Sequence, residues 1–283
     1  MSAPSTPENS TPENSGAPQL TVHQAIANLK QTEDQGDRYY AAWWLGRMRV
    51  SSAEAVTALV TALHDEADRS PDGGYPLRRN AAKALGKLGD LSAVPALIDC
   101  LDCSDYYVRE SAAQALEALG DTSAILPLLR LLAGGVEAAV SVPGKPHLVQ
   151  PYNAILEALG TLGQAADDAE LATQIAPFLT HAVPNVRNAA ARALYQLTGE
   201  ASYAERLVRV LQDDQLQLRR AALMDLGAIG YAPAAGAIAT TLAENSMKLM
   251  ALRGVLEVNL RAEGNAVVSD TTQQILALMD DLL

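Results

Sequence analysis

Apolar residues recur along this chain at helical spacing. In "LRRNAAKALGKLGD" (Leu77–Asp90), Ala81, Leu85 and Leu88 fall at i, i+4 and i+7, which is one face of a helix. The same pattern returns in "VRESAAQALEALGD" (Val108–Asp121), "DRYYAAWWLGRMR" (Asp37–Arg49), "NVRNAAARALYQLTG" (Asn185–Gly199) and "LQLRRAALMDLGAIG" (Leu216–Gly230). One register fits all five. "YNAILEALGTLG" (Tyr152–Gly163) is a sixth copy, and Met247–Leu260 a degenerate seventh. An arginine holds one repeat position five times, at Arg38, Arg78, Arg109, Arg187 and Arg219, with Tyr152 and Lys248 in the other two copies. The intervals run from about 29 to 43 residues, the range of helical solenoids.

Each copy has an upstream partner with its own helical apolar pattern: Ala53–His64, Ala93–Asp102, Ser123–Leu132, Leu171–His181 and Tyr203–Leu211. Gly89-Asp90 and Gly120-Asp121 mark tight turns after the second helix, since glycine permits a left-handed cap. The predicted fold is therefore all-α: a curved HEAT-like helical-repeat solenoid (an α-α superhelix) of about seven helix pairs. Neighbouring pairs stack because none can bury its apolar face alone, and the second, B, helices line the concave side. The repeat arginines read as structural, since HEAT-like repeats often pair an inter-helix aspartate with an arginine of the next helix. Asp105 before Arg109, and Asp213 or Asp214 before Arg219, fit that reading.

The register also assigns faces. Ala41, Leu45 and Met48 take core positions. Tyr39 aligns with Arg79, Glu110, Asn153, Asn188 and Arg220, and Trp43 with Lys83, Gln114, Glu157 and Arg192. Tyr39 and Trp43 are thus predicted to be exposed one turn apart, and exposed aromatic pairs point to binding. Trp44 replaces Ala84, Ala115, Ala158 and Ala193 and caps the open end of the core. Tyr40, Tyr75, Tyr106, Tyr107 and Tyr152 mark B-helix starts along one rim. Arg79, Lys83 and Lys87 form a cationic stripe spaced by four. Flat rings beside cations suit a planar, carboxylate-bearing ligand, or an acidic protein partner. Two long A–B connections, Asp65–Pro76 and Gly134–Pro151, emerge at one edge, the second carrying Lys145 and His147. Loops of that length are uncommon unless functional or disordered.

Composition narrows the picture. The 283 residues are 49% hydrophobic and 4% aromatic, with one phenylalanine, Phe178. Alanine and leucine dominate, which favours helix. A net charge of −12 argues against a nucleic-acid groove, and no apolar run reaches membrane-span length. Residues 1–19, with the near-duplicated "TPENS", read as a disordered Ser/Thr/Pro-rich tail. Residues 20–283 read as a single repeat domain. Two cysteines without an export signal suit a reducing cytoplasm. Cys100-Leu101-Asp102-Cys103 lacks the context of a redox or zinc site; Cys100 reads as core and Cys103 as a helix end. The four histidines show no ligand spacing, so no metal is expected, and no catalytic triad or paired-carboxylate motif is visible.

"DRYYAAWWLGRMR", "GGYPLRRNAAKALGKLGD", "YYVRESAAQALEALGD" and "QPYNAILEALGTLG" resemble the E-type subunits of the heterodimeric E/F phycobilin lyases, most of all those serving α-phycocyanin. The resemblance runs from Thr21 to about Leu260. It implies an F-type partner, apo-α-phycocyanin as acceptor and phycocyanobilin as substrate, joined through a thioether at the A-ring ethylidene. It also implies the capacity to detach or transfer the bilin, no permanently bound cofactor, and work in the cytoplasm near phycobilisomes. Tyr39, Tyr40, Trp43, Tyr75, Tyr106 and Tyr152 are then expected to contact the bilin. Arg79, Lys83 or Arg47 is expected to hold a propionate, and His147 is expected among the bilin-binding residues. Glu110 or Tyr107 is the candidate proton donor. An isomerising phycoviolobilin lyase subunit and a non-catalytic phycobilisome-assembly scaffold are the alternatives.

Overall fold

The computed structural model describes residues 20–166, 168, 170–263 and 269–283; the tail expected at 1–19 lies outside them. Seven helix pairs follow one another: α1 (Val22–Lys30) and α2 (Gln35–Arg47), α3 (Ala53–Leu63) and α4 (Pro76–Leu88), α5 (Val94–Asp99) and α6 (Tyr106–Leu119), α7 (Ile125–Leu131) and α8 (Tyr152–Ala166), α9 (Leu171–Ile175) and α10 (Pro184–Thr198), α11 (Ala201–Val210) and α12 (Leu216–Ile229), and α13 (Ala235–Thr240) and α14 (Asn245–Glu263). A last helix, α15 (Asp270–Asp280), packs on α13 and α14 and covers the end of the array. No repeat position marks it in the sequence.

Local chemistry sets the boundaries. Thr21 and Gln24 form a reciprocal capping box at α1, while the Ser52 and Asp105 side chains accept from the first backbone N–H groups of α3 and α6, satisfying donors that a helix start leaves free. Gly89 (φ 76°) and Gly120 (φ 73°) adopt the left-handed C-cap, as the Gly-Asp turns predict. Two of the A helices, α5 and α9, are short and finish in 3-10 turns, Cys100–Asp102 and Ala176–Thr180.

The B helices α2, α4, α6, α8, α10, α12 and α14 pack in series. Their seam runs through two columns of small residues. Gly46 faces Ala84, Gly86 faces Ala115, and Gly160 faces Ala193. A Cβ on Gly46 would lie 2.8 Å from the Ala84 Cα, and one on Gly160 only 2.5 Å from the Ala193 Cα, so these backbones touch. The leucines behind the seam, among them Leu45, Leu85, Leu116 and Leu159, are fully buried, each contributing about 1.5–3 kcal/mol.

Two expectations change here. The repeat arginines are structural, but most of their partners are backbone carbonyls at the end of the A helix. Arg187 donates to the carbonyls of His181 and Ala182, both at 2.8 Å. Arg219 donates to those of Asp213 and Asp214, and Arg109 to those of Cys103 and Val149. Only Arg38 adds an aspartate, Asp65, at 2.6 Å. Asp105 pairs with Arg79 instead of Arg109. Met48, assigned to the core, is 58% exposed, because α2 ends at Arg47 and the chain turns away.

Cys100 is buried and Cys103 half-buried, both as free thiols. Burial pushes the Cys100 thiol up to about 12, as for an inert core residue.

Candidate functional site

The first B helix presents the aromatic face that the register assigns to it. Tyr39, Tyr40 and Trp43 are each nearly half exposed. Tyr40 rather than Tyr39 is the ring that meets Trp43, stacked with centroids 5.5 Å apart. On α4, Asn80 is buried and donates to the Tyr39 carbonyl of α2 at 3.2 Å; Tyr40 is its counterpart on α2, where among the described residues no earlier B helix lies against it, so that face is open. Trp44 is half-buried and rests against the core, the cap predicted for it.

Beside this face lies a groove of about 490 Å³ lined by Arg49, Lys83, Gly86, Lys87, Gln114 and Ala118. Lys83, Lys87, Arg47 and Arg49 are exposed. Arg79, placed in the same stripe, is committed elsewhere. It pairs with Asp105 at 2.9 Å and covers the Tyr107 ring at 4.4 Å.

The two long connections do emerge at one edge, and both are ordered. Residues 140–149 fold back as a short antiparallel turn in which Val142 N donates to the His147 carbonyl and Val149 N to that of Val140. His147 is thereby laid flat on Tyr106, centroids 4.2 Å apart, with Tyr107 edge-on. Arg79, Asp72, Tyr106, Tyr107, Lys145 and His147 line a cavity of about 320 Å³ there. Burial pushes the Tyr106 phenol up. Half-buried Glu110 is raised for the same reason, against the opposing pull of Lys83, Arg79 and His147.

Two predicted binding residues are displaced. Tyr75 is buried, with the guanidinium groups of Arg69 and Arg78 at 4.6 and 4.2 Å from its ring. Tyr152 is buried against Phe178. Both stand at the start of a B helix with their rings packed inward and buried, so neither lines the B face. Tyr40 and Trp43 remain together, as do Tyr106, Tyr107, His147 and Arg79, but the two groups form separate sites.

The sequence reading missed a third cluster. Arg192 on α10 is buried and gathers three carboxylates: Glu117 of α6 in direct contact, Glu157 of α8 at 3.4 Å and Asp225 of α12 at 3.6 Å. Thr161 donates to Glu117 at 3.0 Å and receives from Gln196 at 3.1 Å. Burial and the neighbouring carboxylates push Glu157 up to about 8, and burial raises Asp225 to about 6 although Arg192 opposes it. The signal lay in the columns. Glu117 stands in line with Gly46, Gly86 and Gly160, and Asp225 in line with Ala84, Ala115 and Ala193. Each puts a charge where the seam takes a small residue.

Among the described residues no cluster of His, Cys, Asp and Glu could hold a metal, and no helix is long and apolar enough to cross a membrane. Fold and site together define a helical-repeat protein with a ligand-sized, aromatic and cationic face along its B helices. Residues 23–117 and 69–140 match HEAT repeats, and residues 186–213 match the PBS lyase HEAT-like repeat. The chain is 62% identical to the phycocyanobilin lyase subunit alpha of Picosynechococcus, over 93% of this chain and 96% of that one. It is 59% identical to the subunit of the same name from Synechocystis, over 94% and 97%. A chain in the structure of the complex of CpcE and CpcF of phycocyanin lyase from Nostoc superposes with a TM-score of 0.86 at 57% identity, covering 99% of this chain and 100% of that one. The chain belongs to the phycocyanobilin lyase alpha-subunit family. Nostoc PecE, a bilin biosynthesis protein, is 44% identical over 94% and 97%.

Proposed function

We propose that this chain is the alpha, E-type subunit of a heterodimeric phycocyanobilin lyase. With an F-type partner it attaches phycocyanobilin to a cysteine of apo-α-phycocyanin, and it detaches or transfers the bilin by the reverse step. The observation that carries the reading is identity above 55% to phycocyanobilin lyase alpha subunits along almost the full length of both chains. The lower identity to PecE favours this reading over an isomerising one.

The reaction is an addition. The cysteine S–H bond breaks, sulfur bonds to the ethylidene carbon of ring A, and a proton reaches the adjacent ring carbon. No oxidant or metal is consumed, so the work of the protein is positioning. Tyr40 and Trp43 offer a stacked platform for a conjugated ring, with Tyr39 alongside. Arg47, Lys83 and Lys87 offer propionate partners. Glu110, with its carboxyl raised by burial, remains the candidate acid, and Tyr107, its hydroxyl on the same helix, the weaker one. Phycocyanobilin is a substrate here, not a resident cofactor, and the work is cytoplasmic.

Co-expression with an F-type partner, apo-α-phycocyanin and a bilin source tests the reading. The expected result is a zinc-fluorescent α band on a denaturing gel with a phycocyanobilin spectrum, absent without this chain. A violobilin spectrum would move the chain to the isomerising relatives. No band, with stable binding to apo-α-phycocyanin, would leave a scaffold.

A further inference from the structure

Several arginines of the array find a carboxylate. Arg38 meets Asp65, Arg79 meets Asp105, Arg192 meets Glu117 and Arg220 meets Glu244. Arg187 on α10 and Arg206 and Arg209 on α11 differ: among the described residues none of them forms an ion pair. All three line one cavity of about 310 Å³ between α10 and α11, together with Asn188, Ala191 and Val210. No acidic side chain lines it, although the chain carries a net charge of −12. Arg187 commits one nitrogen, Nη1, to the carbonyls of His181 and Ala182. Arg206 commits Nη2 to the Leu179 carbonyl at 3.2 Å. Asn188 is more than nine-tenths buried, and its Nδ2 donor has no partner. A buried donor without an acceptor is a cost that packing does not recover.

A ligand that satisfies this cavity is a small anion rich in acceptor oxygens. We propose that Arg187, Asn188, Arg206 and Arg209 bind a phosphate-class oxyanion between α10 and α11. Each guanidinium presents N–H donors in a planar fork that matches the oxygens of such an anion. A carboxylate brings two oxygens to four donor side chains, whereas phosphate brings four. No aromatic ring lines the cavity, so a conjugated ligand finds no stacking partner there. The position gives the anion a consequence. The buried core falls into two clusters that meet on α10. Val186, Ala189, Ala190, Ala193 and Leu194 belong to the first, and Ala191 belongs to the second with Ala204 and Leu207 of α11. An anion held against Ala191 draws α11 onto α10 at this junction, so it fastens the last two helix pairs to the first five.

The experiment titrates inorganic phosphate by isothermal calorimetry into the full chain and into its heterodimer with the F-type partner, with ionic strength held constant by chloride. It compares wild type with Arg209→Met, Asn188→Asp and Lys30→Met. Thermal unfolding in phosphate-free buffer establishes that each variant is folded. Wild type is expected to bind one phosphate per chain in both forms, and phosphate should raise its thermal midpoint. Arg209 is exposed, and Arg209→Met should weaken binding about tenfold or more, the scale of a lost charge-assisted hydrogen bond. Asn188→Asp places a carboxylate among the same guanidinium groups. It should lose the binding and the phosphate-dependent rise, and melt no lower than wild type without phosphate. Lys30→Met removes the same charge from an exposed pair on α1 and should leave the affinity unchanged. No saturable phosphate binding by the full chain, or wild-type affinity in the folded Arg209→Met and Asn188→Asp variants, would overturn the proposal. Binding by the chain alone that vanishes in the heterodimer would overturn a free anion as the occupant and give the cavity to an acidic side chain of the partner.

Discussion

Arg192 on α10 contacts Glu117 on α6, two B helices away, with α8 packed between them. Through Glu157 and Asp225 the same guanidinium also holds α8 and α12. A solenoid normally passes its energetics from neighbour to neighbour; here four successive repeats share one charge. Replacing Arg192 with methionine leaves Glu117 and Asp225 buried without their counter-charge, beside a Glu157 that still holds its proton at neutral pH. The expected loss is about 3–5 kcal/mol at pH 7, read by urea unfolding. The loss should shrink below pH 5, where the carboxylates protonate; an equal loss at both pH values would show that packing, not charge, is involved.

Glu157 makes a second, opposite contribution. Its folded pKa is raised to about 8, so the native state binds a proton that the unfolded chain has already released. That stabilisation is complete below the ordinary glutamate pKa and is lost as pH rises toward 8, at up to about 1.4 kcal/mol per pH unit. Glu157→Gln should flatten stability between pH 5 and 8. An unchanged slope would place the proton elsewhere in the cluster.

At the seam, Gly160→Val pushes a Cβ to 2.5 Å from the Ala193 Cα. Overpacking of this kind costs about 1–3 kcal/mol or more. The thermal midpoint should fall while Gly236→Ala, where a Cβ meets nothing within 4 Å, leaves it within a degree or two.

Tyr40→Ala and Trp43→Ala remove exposed, stacked rings. Surface changes of this kind alter stability by about 0.5 kcal/mol or less, yet truncating a binding aromatic costs about 1–2 kcal/mol of affinity. Bilin transfer by the heterodimer should fall roughly 5- to 30-fold with an unchanged melting curve. Unchanged transfer would detach the α2 face from the reaction.

Arg79 fastens the edge cavity rather than the B-face stripe. Arg79→Met should free Asp105, which still accepts from Tyr75 N at 2.8 Å, and should loosen Asp65–Pro76. Proteolysis of that connection should become faster, and the expected loss of stability is about 1–3 kcal/mol.

The seven pairs are legible in the sequence because the Ala/Leu spacing and the repeat arginine recur in fixed register. The exposure of Trp43 is legible because four other copies hold polar residues in its place. Tyr75 and Tyr152 are not, since a tyrosine before a B helix can turn outward, as Tyr106 partly does, or inward beneath arginines or onto Phe178. The acidic cluster was half visible. Glu157 and Arg192 stand in the Trp43 column, and Glu117 and Asp225 break the small-residue columns. Only the three-dimensional reach of Arg192 across α8 shows that these four belong together. α15 carries no repeat pattern, so nothing in the periodicity announces it.

The repeat arginines grip main-chain oxygens, which every amino acid supplies. Anchoring of that kind does not depend on which side chains occupy the turn, or on how many residues lie between the anchored carbonyls and the next helix. Arg187 closes a connection of three residues, His181–Val183, and Arg109 reaches the Val149 carbonyl at the far end of the neighbouring Gly134–Pro151 excursion. This edge can therefore accept insertions and divergent loops without loss of the helical frame, so it is where related chains can acquire new specificity while their scaffold stays the same.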